Sequence, residues 1–148
     1  MTAIQFYHLT ATPLDRALPK LMEKALAGGL RTLVVGAEPM VAHMDDVLWT
    51  YDAGSFLPHG TADKEGADAH PVLLSVQEDP VNDATLLVIT DGRTPKDTAR
   101  WQRVLDMFDG RDEAAVAAAR QRWTAYKAAG HELTYLKQTE TGGWQQPA

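Results

Sequence analysis

The feature that most constrains the fold is an apolar, β-branched run, Arg31–Val35, that lies between two helical patterns. A run without polar alternation is typical of a parallel strand buried on both faces. Before it, apolar residues recur at helical spacing from Leu14 to Leu26, and after it they recur from Val41 to Leu48. Alternating strands and helices predict an open sheet with helices on its faces.

The other segments extend this pattern. Strands are predicted over 4–9, 72–76, 85–90 and 131–137, and helices over 13–27, 38–51, 95–108 and 112–129. Thr12 is the predicted N-cap of the first helix, and Pro19 either kinks that helix or marks a later start. In the helix over 95–108, the residues predicted to face inward are Ala99, Val104, Leu105 and Phe108.

Two segments depart from regular periodicity. Residues 52–69 hold three glycines and a proline without a clear pattern, and a loop of that length usually has a function. Residues 139–148 are polar and are expected to fray. We therefore predict one Rossmann-like α/β domain over 1–138, followed by a C-terminal tail. The domain is expected to be a three-layer sandwich with a mostly parallel central sheet and helices on both faces.

Composition restricts the class of protein. The 148 residues suffice for one domain with a core, and the absence of cysteine excludes disulfides and thiolate catalysis. No signal peptide or apolar stretch of membrane-spanning length is evident, so we expect a cytoplasmic protein without membrane contact. The net charge is −6, although residues 93–137 alone carry +3. This balance disfavours direct DNA binding beyond a weak contribution, while the basic third can attract a short acidic peptide.

Motifs for common chemistries are missing from the sequence. There is no G-x-G-x-x-G, phosphate-binding P-loop, H-E-x-x-H or G-x-S-x-G. Asp45 and Asp46 are neighbours on a predicted helix and point in different directions, so a solvated face is favoured over a metal site. We expect no cofactor and no catalysis. The alternative is an α/β nucleotide-binding enzyme with an atypical phosphate loop at residues 36–39 or 91–94.

One face of the helix over 112–129 combines cations with an aromatic ring. Arg120, Trp123 and Lys127 share this face, with Val116 one turn before Arg120. A guanidinium, an aromatic wall and an ammonium can hold an acidic peptide with an aromatic end. The alternative is that Trp123 belongs to the core and the two cations lie at its edge.

A second group of large side chains straddles the end of the helix over 38–51 and the irregular loop. Trp49, Phe56, Pro58 and His59 lie within it. Loop aromatics are candidates for partner contacts, because Trp and Phe supply much interface energy. The alternative is that Trp49 and Phe56 fasten the loop to its own core.

Several motifs in order along the chain resemble one family. They are F-Y-H-L at 6–9, L-W-T-Y-D-A-G-S-F-L-P-H-G at 48–60, D-x-F-D-G at 106–110, A-R-Q-R-W-T-A-Y-K-A-A-G-H-E-L-T-Y at 119–135 and G-G-W at 142–144. Together they resemble the chi subunit of bacterial DNA polymerase III holoenzyme, an accessory part of the clamp-loader assembly. The resemblance implies a non-catalytic Rossmann-like protein that links the clamp loader, through the psi subunit, to single-stranded DNA-binding protein.

The resemblance also implies roles for individual residues. Arg120 matches the arginine that binds the acidic, aromatic-ended C-terminal tail of single-stranded DNA-binding protein. Trp123 stands where the best-known members have tyrosine, and Lys127 is a further cation. Val116 replaces a basic residue of other members, so weaker or differently centred tail binding is expected. The residues that match the psi-facing patch are Trp49, Phe56, Pro58 and His59, although another protein can use the same patch.

Overall fold

A computed structural model describes residues 2–51, 58–141 and 143–146. The elements in chain order are β1 (Ala3–Leu9), α1 (Leu14–Ala27), β2 (Thr32–Val35), α2 (Glu38–Thr50), β3 (His59–Thr61), β4 (Val72–Ser75), β5 (Leu86–Ile89), β6 (Arg103–Asp109), α3 (Glu113–Ala128), β7 (Glu132–Gln138) and β8 (Trp144–Gln145). Short 3-10 turns occupy Ala67–Ala69 and Thr98–Arg100.

The strands form one sheet in the order β3-β4-β2-β5-β6-β1-β7-β8, and every pairing is parallel except that of β7 with β8. Helices α1 and α2 pack on one face, where Leu18, Met22, Met44 and Leu48 are buried. Helix α3 covers the opposite face through Ala119 and Tyr126. The structure therefore confirms the predicted α/β sandwich with a mostly parallel sheet.

The predicted helix over 95–108 is wrong. Residues 103–109 form β6, which pairs with β5 on one side and β1 on the other. All residues from Val104 to Phe108 are buried, because a central strand is covered on both faces. Asp106 is a buried charge that interrupts this apolar run. The apolar residues on either side of it are therefore spaced as they would be on one face of a helix. Ala99, predicted to face inward, is exposed.

Two short edge strands, β3 and β8, are absent from the sequence prediction. β3 lies within the segment predicted as an irregular loop, where it pairs with β4. In the tail, Trp144 and Gln145 pair with Gln138 and Lys137 of β7, so the expectation of fraying is wrong for these two residues. The division of the chain at residue 138 stays a prediction.

The connection between β1 and α1 is closed by Gln138, the last residue of β7. Its Oε1 accepts hydrogen bonds from the backbone N–H groups of Thr10, Ala11 and Thr12, at 3.2, 2.9 and 2.9 Å. Its Nε2 donates to the Thr12 hydroxyl at 2.6 Å, so that side chain does not cap α1 as predicted. Pro13 is the N-cap residue instead, and the helix runs through Pro19 without ending.

Candidate functional site

Helix α3 has strong terminal signals that fix its position on the sheet. The Asp112 carboxylate caps it by accepting from the backbone N–H groups of Ala114 and Ala115, at 3.0 and 3.3 Å. Gly130 follows the helix with φ of 86°, a left-handed conformation that glycine adopts readily. With both ends defined, the face that carries Val116 and Trp123 packs onto the sheet.

Trp123 is half-buried and belongs to an aromatic group that spans α3, β1 and β7. Its ring meets Phe6 edge-on at 5.4 Å between centroids and Tyr135 at 5.9 Å. Edge-to-face contacts at these distances are favourable. The ring therefore contributes to the core and also leaves part of its surface exposed. Trp123 combines the core position and the exposed aromatic wall that the sequence analysis treats as alternatives.

Arg120 lies one turn before Trp123 and is exposed. It forms no salt bridge with any residue that the structure describes. Its charge nevertheless acts on two groups of the sheet. Burial lowers the pKa of His8 and Arg120 lowers it further, whereas burial raises the pKa of Tyr135 and Arg120 opposes that rise. Lys127 is exposed in the last turn of α3. Val116, one turn before Arg120, packs against the core and supplies no charge.

His8 and Tyr135 join this site from neighbouring strands. The Nδ1 atom of His8 bonds to the Tyr135 hydroxyl, and its ring lies against the backbone of Gly110. A Cβ at Gly110 would lie 2.0 Å from the His8 ring, so only glycine permits this approach. His8 pairs in register with Lys137, whose side chain is exposed.

The charges that act on His8 are mainly positive. Burial lowers the pKa of His8, and the charges of Lys137 and Arg120 lower it further, while Gly110 and Asp109 act in the opposite direction. His8 is therefore neutral at pH 7. We call Arg120, Trp123, His8, Tyr135 and Lys137 the Arg120 surface.

The sequence prediction missed three members of the Arg120 surface: His8, Tyr135 and Lys137. Both F-Y-H-L and H-E-L-T-Y-L-K at 131–137 contain a signal, because strand alternation places Phe6 and His8 on one face of their strand, and Leu133, Tyr135 and Lys137 on one face of theirs. What the sequence lacks is the pairing of β1 with β7, which brings the two faces together.

Arg122, two residues after Arg120, has the opposite environment. Its Nε and Nη2 donate to Asp106 at 2.6 and 2.9 Å. The Asp106 side chain has no exposed surface and that of Arg122 is 10% exposed. Burial raises the pKa of the Asp106 carboxyl, and the guanidinium of Arg122 opposes that shift. This ion pair fastens α3 to the centre of the sheet.

The Trp49 surface, which comprises Trp49, Pro58 and His59, lies at the end of α2. Trp49 is 55% exposed, more than any other large apolar side chain that the structure describes. Its ring contacts the His59 ring at 4.7 Å. His59 is buried, and its Nε2 lies 3.2 Å from the Asp45 carboxylate. Phe56 lies outside the described residues.

These contacts divide the predicted patch by role. His59 is buried and its ring supports that of Trp49, while Trp49 is exposed. Asp45, predicted to lie on a solvated face, instead pairs with His59. Among the described residues, no three His, Asp or Glu side chains gather as metal ligands. None of the helices described here is long and apolar enough to cross a bilayer.

Comparison with known proteins gives two matches. A family model described as DNA polymerase III chi subunit, HolC, matches residues 1–134. The chain is also 30% identical over 138 residues to DNA polymerase III subunit chi from Pseudomonas aeruginosa, covering 90% of this chain and 94% of that protein. The chain belongs to the DNA polymerase III chi subunit family.

Membership of the chi family makes this chain an accessory subunit of DNA polymerase III, a polymerase of DNA replication. The range matched by the family model contains Trp49, Arg120, Trp123 and Lys127 and ends one residue before Tyr135. The structure brings Arg120 and Trp123 together on α3 and places Trp49 on the opposite side of the sheet. Two separate surfaces are available on one small subunit.

Proposed function

We propose that this chi-family subunit is a non-catalytic adaptor that binds the acidic C-terminal tail of single-stranded DNA-binding protein at the Arg120 surface. The observation that carries the proposal is the position of Arg120. It is exposed, it has no ion-pair partner among the described residues, and it stands beside the partly exposed rings of Trp123 and Tyr135. A cation beside an aromatic wall suits a carboxylate that follows an aromatic side chain.

The chemistry of each group supports this assignment. The guanidinium of Arg120 can bind a terminal carboxylate through two parallel hydrogen bonds. Lys137 on β7 and Lys127 on α3 add positive charge on either side for the preceding acidic residues. Val116 removes the cation that other family members place one turn before the arginine, so binding centred nearer β7 is expected. Ordering a flexible tail offsets part of the contact energy, and the affinity should be modest.

The Trp49 surface is the proposed contact for a second protein, the psi subunit of the clamp loader or another partner. An exposed tryptophan supported by a buried histidine is a rigid apolar anchor of the kind that dominates interface energy. Because the Trp49 surface and the Arg120 surface lie on opposite faces of the sheet, both partners can bind at once. That geometry suits a linker between a clamp loader and coated template.

An enzymatic alternative requires a phosphate-binding turn, and the candidate turns are filled. At Gly36 a Cβ would lie 2.1 Å from the Met40 side chain and 2.3 Å from Thr90. Arg93, the cation of the turn at 91–94, is engaged by the Asp91 carboxylate at 2.7 Å. The amides after β1 are occupied by Gln138. These contacts support a binding role over catalysis, and a saturable thermal shift with nucleotides would reverse that conclusion.

The tail site is tested with a labelled acidic peptide that ends in phenylalanine. Arg120→Ala should weaken binding by more than about tenfold, since hydrogen bonds to charged groups contribute more than neutral ones. The melting temperature should stay unchanged because Arg120 is exposed. Arg103→Ala is the matched control, an exposed arginine at the amino-terminal end of β6. Equal binding by the two variants would contradict the assignment of Arg120 to the tail-binding site. The affinity should also fall with added salt.

The second surface is tested by Trp49→Ala in a co-purification with psi. Loss of co-elution on gel filtration is expected, because truncating a central tryptophan commonly costs more than about 2 kcal/mol of binding energy. Val81→Ala is the control, an apolar side chain that is 44% exposed elsewhere. A Trp49 variant that still co-elutes with psi, with an unchanged melting temperature, would contradict this contact.

A further inference from the structure

A groove lined by three cations runs along α1. It encloses 770 Å³ between α1 and the turn that joins β7 to β8. Arg16, Lys20 and Lys24 lie along one side, and Trp144 lies on the other. It is on the face of the sheet opposite α3, so it is separate from the Arg120 surface. We call it the α1 groove.

The charged side chains of the α1 groove differ in whether another side chain engages them. Arg16, Lys20 and Lys24 are exposed, and none forms a salt bridge with the residues that the structure describes. The acids of the same groove are engaged elsewhere. The Asp15 carboxylate pairs with His43 at 2.6 Å, and the Glu23 carboxylate accepts a hydrogen bond from the Tyr51 hydroxyl. The groove therefore presents three cations without a salt-bridge partner among the described residues, against two carboxylates that already hold hydrogen bonds, in a chain of net charge −6.

The spacing of the three cations lowers the stability of α1. Arg16 and Lys20 are four residues apart, as are Lys20 and Lys24, and like charges at that spacing destabilise a helix. An acid at position 20 would make two favourable pairs instead. An anionic ligand in the groove would relieve this repulsion.

The spacing of the cations identifies the kind of ligand. Residues four apart on a helix are separated by about 6 Å along its axis. Alternate side chains of an extended peptide are separated by about 6.6 Å and point the same way. An extended segment with acids at alternate positions therefore matches Arg16, Lys20 and Lys24 one carboxylate at a time.

Nucleic acid is a poorer match for the α1 groove. Single strands bind where aromatic faces are available for base stacking. Here the Trp144 ring packs against Tyr7 with centroids 4.8 Å apart at an interplanar angle of 89°, and the Tyr51 hydroxyl is bound to Glu23.

We propose that the α1 groove is a second docking site, for an extended acidic peptide segment whose carboxylates alternate along the chain. The site is independent of the Arg120 surface and does not require an aromatic end on the peptide. It gives the subunit an acid-binding surface on each face of its sheet.

The test uses the full chain carrying Arg120→Ala, so that the Arg120 surface does not contribute. Two labelled pentapeptides of equal composition serve as probes, one with glutamates at alternate positions and one with the three glutamates adjacent. Fluorescence anisotropy at low salt should show tighter binding of the alternating peptide, and amide shifts on binding should centre on α1. Equal affinity for the two peptides would overturn the proposed match between alternating carboxylates and the three cations. Absence of binding would overturn the site itself.

The matched pair of variants is Lys20→Glu and Lys64→Glu, which change the net charge equally. Lys20→Glu should weaken binding by about fivefold or more, since it replaces one attraction with a repulsion. It should also raise the melting temperature slightly, because it relieves repulsion within α1. Lys64→Glu, at an exposed lysine outside the groove, should leave the affinity nearly unchanged. Equal losses in both variants, or binding of a short oligothymidylate in place of the peptide, would overturn the proposal.

Discussion

The inner and outer edges of α3 use the same residue type for opposite purposes. Arg122 on the inner edge is buried and bonded twice to Asp106, while Arg120 on the outer edge is exposed beside Trp123 and Tyr135. The pair at the inner edge holds the helix in place. The cation at the outer edge depends on that placement, because Arg120 reaches the sheet residues only if α3 keeps its position. On this one helix, the arginine that stabilises the fold and the arginine proposed to bind the peptide are therefore two residues apart.

Exchanging each arginine for methionine gives the largest expected contrast between the edges. Arg122→Met leaves the Asp106 carboxylate buried without its partner, and it should lower the free energy of unfolding by about 3–5 kcal/mol. Arg120→Met should change it by less than about 0.5 kcal/mol, as is usual for exposed sites. Urea denaturation of the two variants measures both values. Similar stability losses would show that the edges are not distinct.

A double variant sharpens the same comparison. Combining Arg122→Met with Asp106→Leu removes both buried charges, and it should recover much of the stability lost in the single variant. Peptide binding at the Arg120 surface should recover in parallel, since α3 regains its position. A double variant no more stable than Arg122→Met alone would indicate that the hydrogen-bond geometry, and not charge burial, dominates at this edge.

The inner edge also predicts a response to alkaline pH. Burial, together with the nearby Asp106 carboxylate, raises the pKa of Tyr126 to about 12. The unfolded chain loses this proton near pH 10, so the unfolded state is favoured as the pH rises from about 10 to about 12. The free energy of unfolding should fall by about 1.4 kcal/mol per pH unit across that window. Tyr126→Phe should remove this part of the slope, and equal slopes in both proteins would contradict it.

The two edges also differ in how far the sequence predicts them. The stripe of Arg120, Trp123 and Lys127 follows from helical spacing alone. The partner of Arg122 does not, because Asp106 lies in a segment whose apolar spacing suits a helix as well as a buried strand. Assigning residues 95–108 to a helix removed β6, and with it the strand that carries Asp106.

Long-range pairing accounts for the remaining differences. His8 and Tyr135 are separated by 127 residues, and they meet only because β1 and β7 are neighbours in the sheet. Strand order is a property of the whole chain, so no local pattern contains it. By contrast, residue type and position at a helix end make Trp49 a candidate for a partner contact, and the structure decides between that and a core position because its side chain is 55% exposed. The short strands β3 and β8 were missed because two or three residues carry too little periodicity to register.

The smallest expected effect lies at the outer edge, in the pH dependence of peptide binding. His8 faces Tyr135 and Lys137 from β7 and Arg120 from α3. It also faces Asp109 at the end of β6 and Gly110 just after it. Burial and the two cations hold the pKa of His8 below its usual range, so the folded protein binds this proton less readily than the unfolded chain. As the pH falls below about 6.5, His8 should therefore lower the stability of the free protein.

An acidic peptide at the Arg120 surface reverses part of that shift. Its carboxylates oppose the charges of Arg120 and Lys137, so the pKa of His8 should rise on binding and the complex should take up a proton. Linkage then requires tighter binding at lower pH. We expect a gain of about twofold between pH 7.5 and pH 6, as suits a partly exposed site. His8→Gln should bind the peptide with no such gain, because glutamine does not titrate. Calorimetry in buffers of different ionisation enthalpy counts the proton directly. A wild-type complex that takes up no proton would show that the bound peptide does not change the pKa of His8.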